Sequence, residues 1–175
     1  PTWLTRCHPE TPKFVSKIDF DAFAAMWAEE DVCRHTTGAV QTRAESWARF
    51  QKTVGGWALL GYGLFSVFDT AGQYLGQVGM FHGLRGLGQE FDTAVEVGWT
   101  FSAGASGQGY ASEALQAVQH WFDSQNFAAR TVCMIVPDHA ASLRVAEKCG
   151  FSEFARTDYA EMPLVLLQRA CQSSR

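Results

Sequence analysis

Five consecutive residues, Gly107, Gln108, Gly109, Tyr110 and Ala111, have the types and the setting to hold an anion. They follow an alternating segment, in which Val95, Val97 and Trp99 fall on one face and Glu96, Gly98 and Thr100 on the other. That is the period of a strand. Between Ser102 and Gly109 the chain turns to small residues, with three glycines among eight positions. From Tyr110 the period changes, and Ala111, Ala114, Leu115, Val118 and Phe122 recur at helical spacing. The first turn of a helix leaves backbone N–H groups unpaired and carries partial positive charge. Glycines remove the Cβ atoms that would keep a phosphate away from those donors. The segment therefore reads as an anion cradle for a pyrophosphate. No Gly-Lys-Ser/Thr follows, so it is not a nucleotide P-loop, and its spacing is not that of a dinucleotide fingerprint. A tight strand-to-helix connection without a ligand is the plain alternative.

The surrounding elements must position that loop. With 175 residues the chain predicts one domain, residues 1–175, with a loose segment over 1–12. A chain of this size buries roughly two-thirds of its unfolded surface. Lys13 to Lys17 is a short strand candidate. Phe20, Phe23, Ala24 and Trp27 form one helical face, with Asp19 or Asp21 as N-cap and Ala28 to Asp31 as its end. Thr42 to Glu45 is a capping box that opens a second helix, which Gly55-Gly56 is expected to stop. Trp27 and Trp47 read as core aromatics. From Trp57 to Phe101 the chain reads as strands, with Tyr62 to Phe68 and Tyr74 to Phe81 joined by a turn at Asp69 to Gly72. A loop with Gly83, Gly86 and Gly88 follows. After the central helix come a strand at Arg130 to Val136 and a helix at Ala140 to Cys149, closed by Gly150. Two antiparallel strands, Phe151 to Arg156 and Pro163 to Leu167, end the chain. The order β-α-α-β-β-β-α-β-α-β-β implies an α+β or mixed α/β sheet with helices on its faces.

Composition narrows the function classes. A net charge of −4 argues against a general nucleic-acid partner and is compatible with a basic or amine substrate. Five scattered cysteines without CxxC spacing argue against a metal cluster and against a disulfide framework, and fit a reducing cytoplasm. No apolar run is long enough for a membrane span, and no signal peptide is apparent.

Several segments together resemble the GNAT superfamily of acetyl-CoA-dependent N-acetyltransferases, and within it the ribosomal-protein N-terminal acetyltransferase (Rim) type. That family's phosphate motif is Arg/Gln-x-x-Gly-x-Gly/Ala, and Ser106-Gly107-Gln108-Gly109-Tyr110-Ala111 occupies it. Ser112 to Leu115 is similar to the Rim-type ATEAL continuation, and Val95 to Trp99 to its EIGY or EVGW strand. Asp138 to Ser142, followed by Val145 to Phe151, resembles its NxxSxxVAEKxGF signature. Glu10 to Phe14 resembles a degraded ETERL opening. The resemblance implies a central mixed, twisted sheet of six to seven strands flanked by about four helices. Three positions depart from the pattern. Ser106 stands in place of Arg or Gln, His139 in place of Asn, and Ala146 where many relatives carry a catalytic Tyr.

The resemblance implies direct transfer of an acetyl group from acetyl-CoA to a primary amine, without a metal or a covalent acyl-enzyme. It places the cofactor against Trp99, Thr100, Phe101, the Ser106–Ala111 loop, His139 and Ser142. For the acid it implies Ser142, with Tyr159 next and a plain helix-cap role for Ser142 as the alternative. For the base the resemblance points loosely to Asp158, while Glu96 on the central strand and His139 by its imidazole are further candidates. A structural role stays open for Glu96, a cofactor contact or an exposed loop for His139, and a water chain is also open. Glu113 reads as a first-turn carboxylate and Cys149 as core. The acceptor is a small-molecule amine or a protein or peptide N-terminus, approached over Trp27, Arg34, His35, Trp47 and the Gly83–Gln89 loop. Glu29 to Asp31 read as a solvated helix end, with an acidic acceptor surface for a polycationic substrate as the alternative. Neither nucleic acid nor membrane is expected as a partner, and the chain is expected to be a monomer or homodimer. The three departures motivate one alternative of another class, a non-catalytic acyl-CoA-binding sensor module.

Overall fold

The computed structural model describes residues 19–172. The strand expected at Lys13 to Lys17 and the motif at Glu10 to Phe14 lie outside the described residues. Among the described residues there are six α-helices: α1 (Phe20–Met26), α2 (Glu30–Cys33), α3 (Arg43–Leu60), α4 (Gln89–Asp92), α5 (Tyr110–Ser124) and α6 (Ala140–Lys148). Six strands accompany them: β1 (Leu64–Phe68), β2 (Tyr74–Phe81), β3 (Val95–Phe101), β4 (Arg130–Ile135), β5 (Ser152–Tyr159) and β6 (Met162–Ala170). They form one mixed sheet in the order β1-β2-β3-β4-β6-β5. No helix among the described residues is long and apolar enough to cross a membrane.

The chain divides into two compact units. Among the described residues, the first contains residues 19–79 together with Trp99–Tyr110. Its core gathers Phe20, Phe23, Met26, Trp27, Phe50 and Tyr74. Phe20 and Phe23 both meet the Phe50 ring edge-on, with centroids 5.4 and 5.3 Å apart. Trp27 is buried, as its helical face requires. Trp47, expected in the core, is 40% exposed and stacks on Phe50. Asp19 occupies the N-cap position of α1 but makes no side-chain cap bond, because its backbone is already helical. The capping box of α3 forms as its sequence demands: Glu45 N–H donates to Thr42 Oγ1 and the Thr42 N–H donates to Glu45 Oε2.

Gly55-Gly56 does not stop α3, which runs on to Leu60 and ends at Gly61 with φ 75°. A helical glycine costs only about 1 kcal/mol relative to alanine. Trp57, expected in a strand, holds the last turn in place. Its ring is buried, its Nε1–H donates to Leu64 O, and Phe65 meets it edge-on. Gly63 leaves room for that ring, since a Cβ there would lie 2.5 Å from Trp57 Cδ1. The β1–β2 hairpin turns at Asp69, whose carboxylate accepts from the amides of Ala71 and Gln73.

Among the described residues, the second unit contains Met80–Gly98 and residues 111–172. Val132, Leu164, Leu166 and Phe91 form one cluster of its core. β4 and β5 both pair antiparallel with β6. The α5 face carrying Leu115, Val118 and Phe122 is buried, and Asp123 on the same helix pairs with Arg169. α4 follows directly on Gly88, the last of the three loop glycines, where no element is expected from the sequence.

Candidate acetyl-transfer site

The loop leaves β3 through a short 3-10 turn, Ala103–Ala105. Ser106 is extended, and Gly107 and Gly109 adopt φ of 75° and 87°, the left-handed region. Side chains other than glycine enter that region at a cost of about 1–2 kcal/mol. A Cβ built on either glycine would meet no atom within 4 Å, so shape alone does not require glycine there. The backbone conformation does. Residues 106–109 are exposed, and α5 begins at Tyr110. The loop itself is tied down at its start: Gln108 Nε2 donates to Gly104 O, Ser102 N to Leu75 O, and Ala103 N to the Glu29 carboxylate at 2.8 Å. Glu29, read from the sequence as part of a solvated helix end, is therefore a brace for this loop. Open backbone at the head of a helix of 15 residues fits a pyrophosphate.

β3 carries Glu96. Its carboxylate is buried and is gripped by Arg85, whose Nε donates to both oxygens at 3.0 and 2.8 Å while Nη2 donates to Oε1 at 2.7 Å. Burial pushes the Glu96 carboxyl above its ordinary value, with Arg85 opposing the shift. Glu96 thus pairs with an arginine of the loop before α4, a contact compatible with a structural role as well as a catalytic one. Tyr159, near the end of β5, shares that arginine: its ring centroid lies 5.8 Å from Arg85 Cζ. Asp158 is exposed and stands opposite Pro163 in the register. Neighbouring strand residues point to opposite faces, so Asp158 does not join Glu96 and Tyr159.

His139 and Ser142 meet at the head of α6, where Ser142 N–H donates to His139 Nδ1 at 3.1 Å. With Nδ1 accepting, the proton of the neutral ring resides on Nε2. Trp99, Thr100 and Phe101 are half-buried. Among the described residues the parallel register of β3 with β4 comprises Val95 with Thr131 and Glu96 with Val132, and β3 continues beyond it to Phe101. Gly76 permits a close approach of β2 to this end, since a Cβ there would lie 2.3 Å from Thr100 O. Cys149 is buried and its thiol is pushed up to about 11 by burial, as a core thiol should be.

Sequence reasoning missed Arg85 and the bracing role of Glu29. The signal for Arg85 was faint: one long cationic side chain in a loop otherwise built of glycine and leucine. Nothing local marks Glu29, whose partner amide is distant in the chain.

The model of the acetyltransferase (GNAT) domain matches residues 13–152. The chain belongs to the GNAT family. It is 30% identical over 134 residues to YkkB, an uncharacterized protein of Bacillus subtilis (strain 168), covering 73% of this chain and 72% of that one. A putative GNAT-family acetyltransferase of Bordetella pertussis superposes with a TM-score of 0.78 at 29% identity, over 89% of this chain and 92% of that one. RimL, a ribosomal alpha-N-protein acetyltransferase solved with coenzyme A, shares the fold with a TM-score of 0.74 at 15% identity, over 91% and 93% of the two chains. The six-stranded mixed sheet is thus the GNAT fold, and the protein is an acetyltransferase.

Proposed function

We propose that the protein transfers an acetyl group from acetyl-CoA to a primary amine, on a small molecule or at a protein N-terminus, by direct attack within a ternary complex. The observation that carries this reading is the exposed loop with left-handed Gly107 and Gly109 at the head of α5. Its amides, from Gly107 to Ala111, bind the pyrophosphate. The end of β3, Trp99 to Phe101, supplies backbone for the pantetheine arm and for polarising the thioester carbonyl. Loss of one such donor costs about 2.7–4 kcal/mol in acyl transfer. Ser106 adds to the contacts of that loop, and in the second unit His139, a separate cofactor candidate, accepts from Ser142 N–H at the cap of α6.

Acetyl-CoA supplies an activated thioester. The acceptor ammonium must lose a proton before its nitrogen forms the new bond to the carbonyl carbon. Glu96 takes that proton, because burial raises its carboxyl toward the working range of a base. As the C–S bond breaks, the departing thiolate takes a proton from a hydroxyl. Ser142 and Tyr159 are the two groups for this task. Tyr159 has in its favour that it shares Arg85 with Glu96. Asp158, exposed and on the other face, is the weaker base.

The test is thiol release from acetyl-CoA across a panel of primary amines: amino acids, polyamines, aminoglycosides and short peptides. Amine-dependent release that is lost in Glu96→Gln supports the reading. Binding of acetyl-CoA without release for any amine supports the sensor-module alternative instead.

A further inference from the structure

The Glu96 carboxylate lies in a box built from several elements. Gly83 forms one wall, since a Cβ there would lie 2.1 Å from Glu96 Oε2 and 2.9 Å from Arg85 Nε. Phe81 and Tyr159 flank the guanidinium, with ring centroids 6.0 and 5.8 Å from Arg85 Cζ. The Arg85 side chain is 24% exposed and that of Glu96 only 5%. The loop that presents Arg85 is itself organised by one acid. Asp92 Oδ1 accepts from the amides of Arg85 and Gly86, at 2.8 and 3.1 Å, and Oδ2 accepts from that of Gly88 at 3.0 Å.

We propose that Arg85 is a positioning residue for acetyl transfer, fixing the Glu96 carboxylate in one orientation and holding it ionised in a buried site. This rests on the reading of Glu96 as the base. A planar guanidinium that meets both carboxylate oxygens sets orientation as well as charge, which a lysine ammonium cannot do. A buried carboxylate without a partner would take up a proton and could not accept one from an ammonium. Arg85 therefore sets the pH above which the base works. The other groups that bear on Glu96 are His82 on the same loop, Asp92 on α4 and Cys133 on β4, with Tyr159 acting from β5 through Arg85. Among these only Arg85 grips the carboxylate with three donor contacts.

The experiment follows the Glu96 carboxyl by carbon-13 NMR titration of the full chain, with Glu96→Gln assigning the resonance, in the wild type, Arg85→Gln and Arg85→Lys. The pH profile of kcat/KM is recorded in parallel, with the most active amine of the panel. In Arg85→Gln the carboxyl titration is expected to move up by about one unit or more. The acidic limb of kcat/KM should move with it, while the KM for acetyl-CoA stays the same. Arg85→Lys keeps the charge and loses the fork, so its titration should stay near the wild type while kcat falls. This second variant carries the test if the first does not fold. A Glu96 titration that does not respond to Arg85→Gln overturns the proposal. A titration that moves while the rate profile does not overturns Glu96 as the base, and Arg85's part in catalysis with it.

Discussion

The anion loop and the Glu96–Arg85–Tyr159 cluster are built on opposite plans. The loop is made of backbone. In the proposed reading its working parts are amides, two of its five consecutive residues are glycines, and the long Gln108 side chain donates back to Gly104 O. The cluster is made of side chains drawn from β3, the loop before α4 and the end of β5. The loop is exposed and takes its shape from local φ angles, whereas the carboxylate of the cluster is buried and takes its state from its neighbours. A backbone site is robust to most substitutions and is broken by a side chain that reverses its chemistry. A side-chain site fails when any member is removed. Binding and catalysis should therefore separate by region.

The largest expected effect is on the loop. Gly109→Glu forces a left-handed residue to carry a side chain and brings negative charge to the pyrophosphate donors. Acetyl-CoA affinity should fall by about a hundredfold or more while the helical content holds, measured by calorimetry and circular dichroism. Retained affinity would break the comparison at its first term. Next comes Glu96→Gln, which removes the proposed base. A general base contributes about 10²–10⁴-fold, so kcat should drop within that range while acetyl-CoA affinity changes less than about twofold. Equal losses in both would mean that the two regions are not separable.

A smaller effect sharpens the account of how the loop is held. Glu29→Ala removes the acceptor for Ala103 N–H. A hydrogen bond to a charged group is worth about 1.5–3 kcal/mol, and less where it is exposed, so acetyl-CoA should bind roughly three- to tenfold more weakly. Glu29→Gln, which keeps an acceptor oxygen, should restore most of that.

The smallest effect is on stability. The folded-state pKa of Glu96 is raised, so the folded protein binds this proton more tightly than the unfolded chain does. Between the ordinary glutamate value and the raised one, stability should fall as pH rises through that window. Glu96→Gln should lack this slope and Arg85→Gln should steepen it, as denaturant titrations across the pH range would reveal. A slope of opposite sign would mean that Arg85, rather than burial, dominates the carboxylate.

This difference between regions also explains what could be read from sequence. The strand–loop–helix shape around Gly107 was legible because glycine spacing and the change of period are local signals, and so was the Thr42–Glu45 capping box. Gly55-Gly56 misled because a modest local penalty is outweighed by tertiary anchoring of Trp57. Glu96 and Tyr159 were each named as candidates, but through family resemblance. Their common partner, Arg85, lies in a loop whose path depends on Asp92 and on a four-residue helix too short to announce itself. Glu29 was misread because its hydrogen-bond partner, Ala103, is 74 positions away.

The most direct test of the central claim is calorimetric titration of the protein with acetyl-CoA, with adenosine diphosphate and desulfo-CoA as controls. The account predicts a Kd on the order of micromolar, weakened when the pantetheine arm is missing and lost in Gly109→Glu. An absence of binding, or binding indifferent to Gly109→Glu, would contradict it.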